Sequence, residues 1–517
     1  MRVMDDAFEY LMPSVAKKKN GQFFTPRYVI DMCVKMLNPK KREHVVDPAC
    51  GSGGFLLHAM EWVRATQYSP NAGEHFIHDY AAKYLWGIDF DERSAKVSRA
   101  LMLIAGDGRS HIYKLNSLDP REWVQVDEGL QAILGLRSVN LIRSRKIMPG
   151  VIRESEAWEQ LADFSFDVLL TNPPFAGEIR DQGILSRYEL ARKGRGSYGR
   201  TEAKVERDVL FIERCLHLLK SGGRMAIVLP QGKLNNSTLA YIREWILRHA
   251  RLLAVVGLHP HTFKPHTGTK TSIIFLQKYT DEDLSRIQTI EDNARAKCPD
   301  YATMFRKLIS NLPDGDDLKE EDLPAEAAEL LHEWFDEQED ESADEKEART
   351  EPEIETLETE LTEWQKTITN LSTALEKAKN AKDKDKQKKL KAQIREAEKF
   401  VAKTDETLKR RTIKGRLELV LKDQKAIEEL QQKWIDAKIA KELDYPVFMA
   451  TSEQGGKDSA GEYIFRKDPA GTILMDEHSN PLVEQDCVKY RDQDPDCIAE
   501  QFIKWAKKQK LNFWRED

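Results

Sequence analysis

The sequence predicts an α/β fold class, a mostly parallel sheet covered on both faces, followed by a helical, coiled-coil C-terminal region. Three observations carry that expectation. Short runs rich in Val, Ile and Leu alternate with helical patterns through residues 21–280, and such alternation builds parallel sheets flanked by helices. The composition then turns abruptly acidic. Beyond residue 351 an apolar heptad sets in, as in a coiled coil.

Taken in order, the expected strands are "HVVDPA", "YLWGIDF", "FDVLLTN", "GRMAIVLP", "RLLAVVGL" and "TSIIFLQK". Helical patterns near 54–65, 91–104, 205–220 and 237–249 lie between them. The last two strands are separated by about a dozen residues with no helix, which suggests an antiparallel edge. Between Asp314 and Glu347 stand 17 acidic and 2 basic residues, the composition of a solvated linker. Ile354, Leu357, Leu361, Trp364, Ile368, Leu371 and Leu375 then recur at alternating spacings of three and four. Leu390, Ile394, Ala397, Val401 and Leu408 repeat that spacing out of phase, after the polar "KNAKDKDKQKK". Two stripes of this kind suggest an antiparallel hairpin; with no Gly or Pro in the tract, a single bent helix fits too. The resulting division is 1–20 a residual N-terminal helical arm, 21–280 the α/β domain, 281–350 an acidic helical linker, 351–440 the coiled-coil hairpin and 441–517 a mixed segment.

Bulk properties bound the function. At 517 residues the chain implies two or three domains. No run approaches the roughly 18 apolar residues of a membrane span. "MRVMDDAFEY" lacks the apolar stretch of a secretion signal, so a cytoplasmic location is expected. The six cysteines never form CxxC, which argues against structural zinc and a disulfide framework. A net charge of −7 excludes an indiscriminate polycation, so any nucleic-acid role needs local basic surface or a partner.

Two strand-to-turn junctions carry the chemistry. "VVDPACGSGGF" (45–55) ends a strand in glycines and opens a helix; ligands of open α/β sheets bind at that carboxyl edge. Gly51, Gly53 and Gly54 let the chain turn sharply and a ligand approach the backbone. The segment fits neither the dinucleotide fingerprint nor a phosphate loop. Asp89, closing "GIDFD", can accept two ribose hydroxyls, while Asp91 is the better helix cap. In "DVLLTNPPF" (167–175) two prolines fix φ and supply no N–H, leaving the Asn172 and Pro173 carbonyls free of local donors. With the Asn172 amide oxygen they suit an –NH2 group whose nitrogen is attacked, and Phe175 offers a face for a ring. "HPHTFKPH" lacks metal spacing, and Cys50 reads as a small turn residue rather than a nucleophile.

"GQFFTPR" (21–27), "DPACGSGGF" and "NPPF", in that order, resemble the motifs of amino-directed DNA methyltransferases of the gamma arrangement, above all the modification subunit of type I restriction–modification systems. The resemblance continues through "SGGRMAIVLPQGKL" and "VVGLHPHTFKPHTGTKTSIIFLQ", and more loosely "YPVFMATSEQGGKDSAGEYI". It implies a Rossmann-like methyltransferase domain with a mostly parallel seven-stranded sheet, and S-adenosyl-L-methionine as cofactor. By position, Gln22, Phe23, Phe24, Thr25, Pro26 and Arg27 would cover the cofactor's methionine end. Ser52, Gly53 and Gly54 would line its backbone turn, Asp47 its amino group, Asp89 the ribose, and Asn116 the adenine. Asn172, Pro173, Pro174 and Phe175 would hold the target adenine at N6. The chain departs from the family at Asn116, usually Asp, and at Asp89, often Glu. Family members usually carry a sizeable helical N-terminal domain, of which "DDAFEYLM" looks like the trailing edge.

The implied function is methyl transfer to N6 of an adenine flipped out of double-stranded DNA, within a type I-like complex whose specificity subunit selects the site. A restriction subunit is a further candidate partner, and the hairpin a candidate docking surface; packing on its own domain is the other reading of that hairpin. Arg180–Arg207, with 8 basic and 4 acidic residues, suits phosphate contact or a solvated loop. Rival readings are a solitary adenine DNA methyltransferase, a protein glutamine-N5 methyltransferase, and a scaffold with a decayed cofactor site. The "GQFFTP" arm argues against the second; Asp47, the glycine turn and Asn172 argue against the third.

Overall fold

The computed structural model describes residues 24–69, 74–106, 111–119, 166–193, 200–313, 318–335, 354–381, 383–476 and 479–515. The N-terminal arm, Gln22, Phe23, residues 314–317 and 336–347 of the acidic stretch and 194–199 of the basic segment lie outside them. The chain divides into two units, one formed by 1–283 with 445–517 and the other by 284–444.

The first unit is built on one sheet. Its strands are β1 (Val45–Asp47), β2 (Leu85–Asp89), β3 (His111–Lys114), β4 (Phe166–Thr171), β5 (Leu219–Pro230), β6 (Ala250–Gly257), β7 (Thr271–Lys278) and β8 (Phe448–Thr451). Their order is β8-β6-β7-β5-β4-β1-β2-β3. β1 pairs in parallel with both β2 and β4, with Val45 opposite Leu85 and Val168. Only β7 runs against its neighbours, pairing antiparallel with β5 and β6. It fills the gap left between those two strands, so the antiparallel element is internal rather than at an edge. The seven-stranded sheet is extended by an eighth strand, because Phe448–Thr451 pairs in parallel with Ala254–Gly257. Every residue of β1, β2 and β4 is buried, as two-sided cover requires.

Apolar side chains form a core on each face. One packs the sheet against α1 (Arg27–Leu37), α2 (Gly54–Gln67), α3 (Glu74–Tyr84), α4 (Glu92–Ile104) and a C-terminal helix, Ile498–Lys508. The other packs it against α5 (Arg207–Leu218) and α6 (Ala240–His249). α1 buries Tyr28, Val29, Met32, Cys33, Met36 and Leu37, the i, i+4, i+8 face of an amphipathic helix. Its C-terminal end is gripped by Arg224, which donates to the Leu37 and Asn38 carbonyls and pairs with both oxygens of Glu43. A cation suits that end of the helix dipole, and the grip fixes the helix whose first turn enters the site.

In the second unit, helices Ile354–Asn380 and Lys384–Arg411 pack on each other. Trp364 and Phe400, equidistant from the break between them, have ring centroids 4.7 Å apart, which identifies an antiparallel hairpin. Asp383 caps the second helix by accepting from Lys386 N. A separate core gathers Tyr301, Phe305, Leu417, Val420 and Leu430. Among the described residues no helix is long and apolar enough to cross a membrane.

Candidate active site

β1 and β4 are neighbours, so their carboxyl ends deliver the two turns side by side. After Asp47 the chain bends through 48–53, with Cys50 N donating to Ile88 O at 2.9 Å and Gly53 N to Cys50 O at 2.7 Å. Gly51 and Gly53 take φ of 52° and 90°, a region that costs other residues about 1–2 kcal/mol. A Cβ on Gly53 would sit 2.5 Å from Ser98 Oγ, whereas one on Gly51 would meet nothing within 4 Å. The first glycine therefore leaves open space for a ligand against the backbone, and the other lets α2 start close to α4.

Asp47 joins the turns. Its Oδ1 accepts from Ala49 N at 3.0 Å and from Thr171 Oγ1, at the end of β4, at 2.7 Å. Burial pushes its carboxyl up to about 7, the Thr171 and Ala49 hydrogen bonds opposing that rise and Asp89 adding to it. Asn172 follows Thr171, and its Nδ2 donates to Thr25 Oγ1 at 3.0 Å. The 24–27 arm thus orients the second turn's amide as well as facing the first turn. Phe175 is half-buried and meets Phe263 edge to face at 6.2 Å.

One cleft unites these parts, lined by Phe24–Arg27, Asp47, Ser52, Gly54 and Asn172 among others. Gly53, Pro173, Pro174, Phe175, Asp89 and Asn116 are not in its lining. Asp89 Oδ2 accepts from Gly51 N at 2.9 Å and Oδ1 from Asp91 N at 2.8 Å; a carboxylate keeps further lone pairs beyond two such bonds. Asp91 caps α4 through Ser94 N. Asn116 Oδ1 accepts from Leu118 N within its own turn. Cys50 is buried, and burial drives its thiol well up, the opposite of an activated nucleophile.

Four residues escape the motif-based reading. Lys457 and Tyr463 line the cleft but arrive from the tail, where the looser resemblance assigns no residue a role. Phe90 stands 68% exposed directly after Asp89, a flat apolar face that the "GIDFD" strand ending could have signalled. Phe263 packs behind Phe175 from within the "HPHTFKPH" stretch. In the basic segment, Arg180 and Lys204 flank Glu178 at 3.0 and 2.7 Å. Arg187 and Arg192 donate to backbone carbonyls, so part of the charge expected for phosphate contact is engaged within the segment.

The family model for N-6 DNA methylase matches residues 1–362. The methylase subunit of the type I restriction enzyme EcoEI from Escherichia coli is 26% identical over 275 residues, covering 53% of this chain and 46% of that protein. The EcoKI methylase subunit of Escherichia coli (strain K12) is 24% identical over 319 residues, covering 60% and 49%. A modification subunit of a putative type I restriction enzyme from Vibrio vulnificus YJ016, solved as a crystal structure, aligns at 24% identity and TM-score 0.38 over 54% of this chain and 49% of that one. The chain spans about half the length of these relatives.

Proposed function

This chain belongs to the N-6 DNA methylase family, and from that premise we propose that it transfers a methyl group from S-adenosylmethionine to N6 of an adenine turned out of double-stranded DNA. We propose further that it does so as the modification subunit of a type I-like restriction–modification complex. The observation that carries the reading is the single cleft in which Asp47 and Asn172 meet, tied through Thr171.

The residues present fit that cofactor. Open space at Gly51 admits a ligand against the turn, and Asp47 offers a buried carboxylate to an ammonium group. Asp89, with Phe90 exposed beside it, offers acceptors for ribose and a face for a purine. When bound, S-adenosylmethionine supplies an electrophilic methyl group on a sulfonium. The protein's own contribution is orientation. Asn172 Oδ1 and the Pro173 carbonyl accept the two hydrogens of the adenine amine. That pulls its lone pair out of conjugation with the ring, while Phe175 holds the ring by stacking. No base of matched pKa is needed beforehand, because the nitrogen becomes strongly acidic only after it has gained the methyl group. Turning the base out costs a few kcal/mol, which contacts from the basic 180–207 segment to phosphate would help to offset.

A separate specificity subunit chooses the site in this reading, with the helical hairpin as a docking surface. Transfer of tritium from labelled cofactor tests it. Label should enter adenine in duplex oligonucleotides, weakly with the chain alone and strongly with a specificity subunit added. Label in protein glutamine would reject the DNA reading, and strong site-specific methylation by the chain alone would reject the partner.

A further inference from the structure

The cleft has a wall supplied from the far end of the chain. β8 runs parallel to β6, and through β7 and β5 its direction is that of β1 and β4. Its carboxyl end therefore delivers residues 452–466 to the same edge of the sheet as the two turns. Asp486 anchors the departure by accepting from Ser452 Oγ at 2.6 Å and Glu453 N at 2.7 Å. The chain then lies against α1, with Tyr28 OH donating to Gly455 O at 2.6 Å. Two glycines make that approach possible. A Cβ on Gly455 would come within 2.4 Å of His259 Nδ1, and Gly456, at φ +67°, is 3.1 Å from the Tyr28 ring by the same measure. Next, Asp458 Oδ1 accepts from the backbone N of Ala460, Gly461 and Glu462, closing a tight turn that sets Lys457 opposite Tyr463.

Lys457 is thereby held in one place. It is 8% exposed, its Nζ donates to Lys264 O at 3.0 Å and stands 4.9 Å over the Tyr463 ring, and both side chains line the cleft. These contacts hold its ammonium at the wall of the cleft, where it can also meet a ligand's charge. Arg27 also lines the cleft, at the first turn of α1, which contains no acidic residue and directs the positive end of the helix dipole there. The acid in the lining is Asp47. A cleft lined by two cations and a buried acid matches a ligand bearing both charges, as a free amino-acid group does.

We propose that Lys457 binds the carboxylate of the cofactor's amino-acid end, with Asp47 taking its ammonium group, so that the segment returning after the helical unit completes the cofactor pocket. This rests on the methyltransferase reading above. It makes the tail a part of the binding site rather than an appendage to it.

Calorimetric titration of the full chain with S-adenosylhomocysteine and with 5′-methylthioadenosine, which lacks the amino-acid end, tests the assignment. Lys457→Met should weaken S-adenosylhomocysteine about 10- to 100-fold, the loss of a charge-assisted hydrogen bond, and leave methylthioadenosine within about 2-fold. Lys457→Arg should recover part of the loss. Unchanged S-adenosylhomocysteine affinity overturns the inference, as does an equal loss for both ligands, which would mark a structural role. Retained nucleoside affinity with lost affinity for an oligonucleotide overturns it in favour of a phosphate. If the unmodified chain binds neither nucleoside, the methyltransferase reading itself fails, and the two failures are told apart.

Discussion

The turn after β1 and the turn after β4 lie side by side at one edge of the sheet, yet they reach their shapes by different means. The first is shaped from outside: Gly51 and Gly53 adopt left-handed φ, and Ser98 and Ile30 stand where Cβ atoms of Gly53 and Gly54 would go. The second is shaped from within, by two prolines that fix their own φ and remove donors. A glycine turn offers a ligand its backbone, so lesions there should appear as lost stability and lost cofactor affinity. A proline turn offers particular acceptors, so lesions there should appear in turnover while the fold stays intact.

Asn172→Ala is the sharpest test of the second half of that contrast. Methyl transfer should fall by about 100-fold or more, as for removal of an oriented transition-state group, while calorimetry records nearly unchanged cofactor affinity. A parallel loss of both would erase the distinction. For the first turn, Gly53→Ala should cost about 2–3 kcal/mol in denaturant unfolding, since it combines positive φ with the Ser98 contact, and cofactor affinity should fall with it. Asp47 bridges the two turns and should show itself through pH. Its carboxyl is raised to about 7, so the charged form that meets an ammonium appears as pH rises through that value. Cofactor affinity should rise about 10-fold between pH 6 and 8, and Asp47→Asn should flatten the rise. Stability runs the other way: a raised acid stabilises below its ordinary range and loses that contribution as pH climbs through its folded value. Asp208 and Glu213, pushed by burial to about 7 and about 8, share the sign, so the ligand-free chain should melt lower at pH 8 than at pH 6. The smallest loss of stability belongs to Gly51→Ala, about 1 kcal/mol from its backbone alone; its Cβ would enter the open space read as the cofactor's, so titration should show a fall in cofactor affinity.

What could be read in advance was what local sequence encodes. β1, β4 and β5 announce themselves as β-rich apolar runs because both their faces are covered, and the two turns carry residues whose backbone behaviour is their signature. β3, "HIYK", was harder to see: one of its four residues is fully buried. α1 carries a helix start in Pro26 and a regular apolar spacing, but these residues overlap the "GQFFTPR" motif, whose resemblance implies a cofactor arm and says nothing of a helix. One strand lies elsewhere than expected and another falls in the segment read only as mixed. β7 is internal because β6 is laid down one position beyond β5, which no local pattern records. β8 is four residues with alternating exposure, and its partner lies almost two hundred residues upstream. For the same reason the resemblance across "YPVFMATSEQGGKDSAGEYI" assigns Lys457 and Tyr463 no role. Their position in the cleft depends on long-range pairing, on Tyr28 and on the 259–265 loop.

The chain quits the sheet-bearing unit after Asp283 and rejoins it at Tyr445. Tyr445 OH accepts from Leu252 N at 3.1 Å, on the strand paired with β7, which ends a few residues before the departure. Exit and re-entry thus share a doorway. Everything from Leu284 to Asp444 is an excursion whose length leaves the spacing of its two ends untouched, so the helical unit can be enlarged, trimmed or exchanged through evolution while the strand order around the cleft stays as it is.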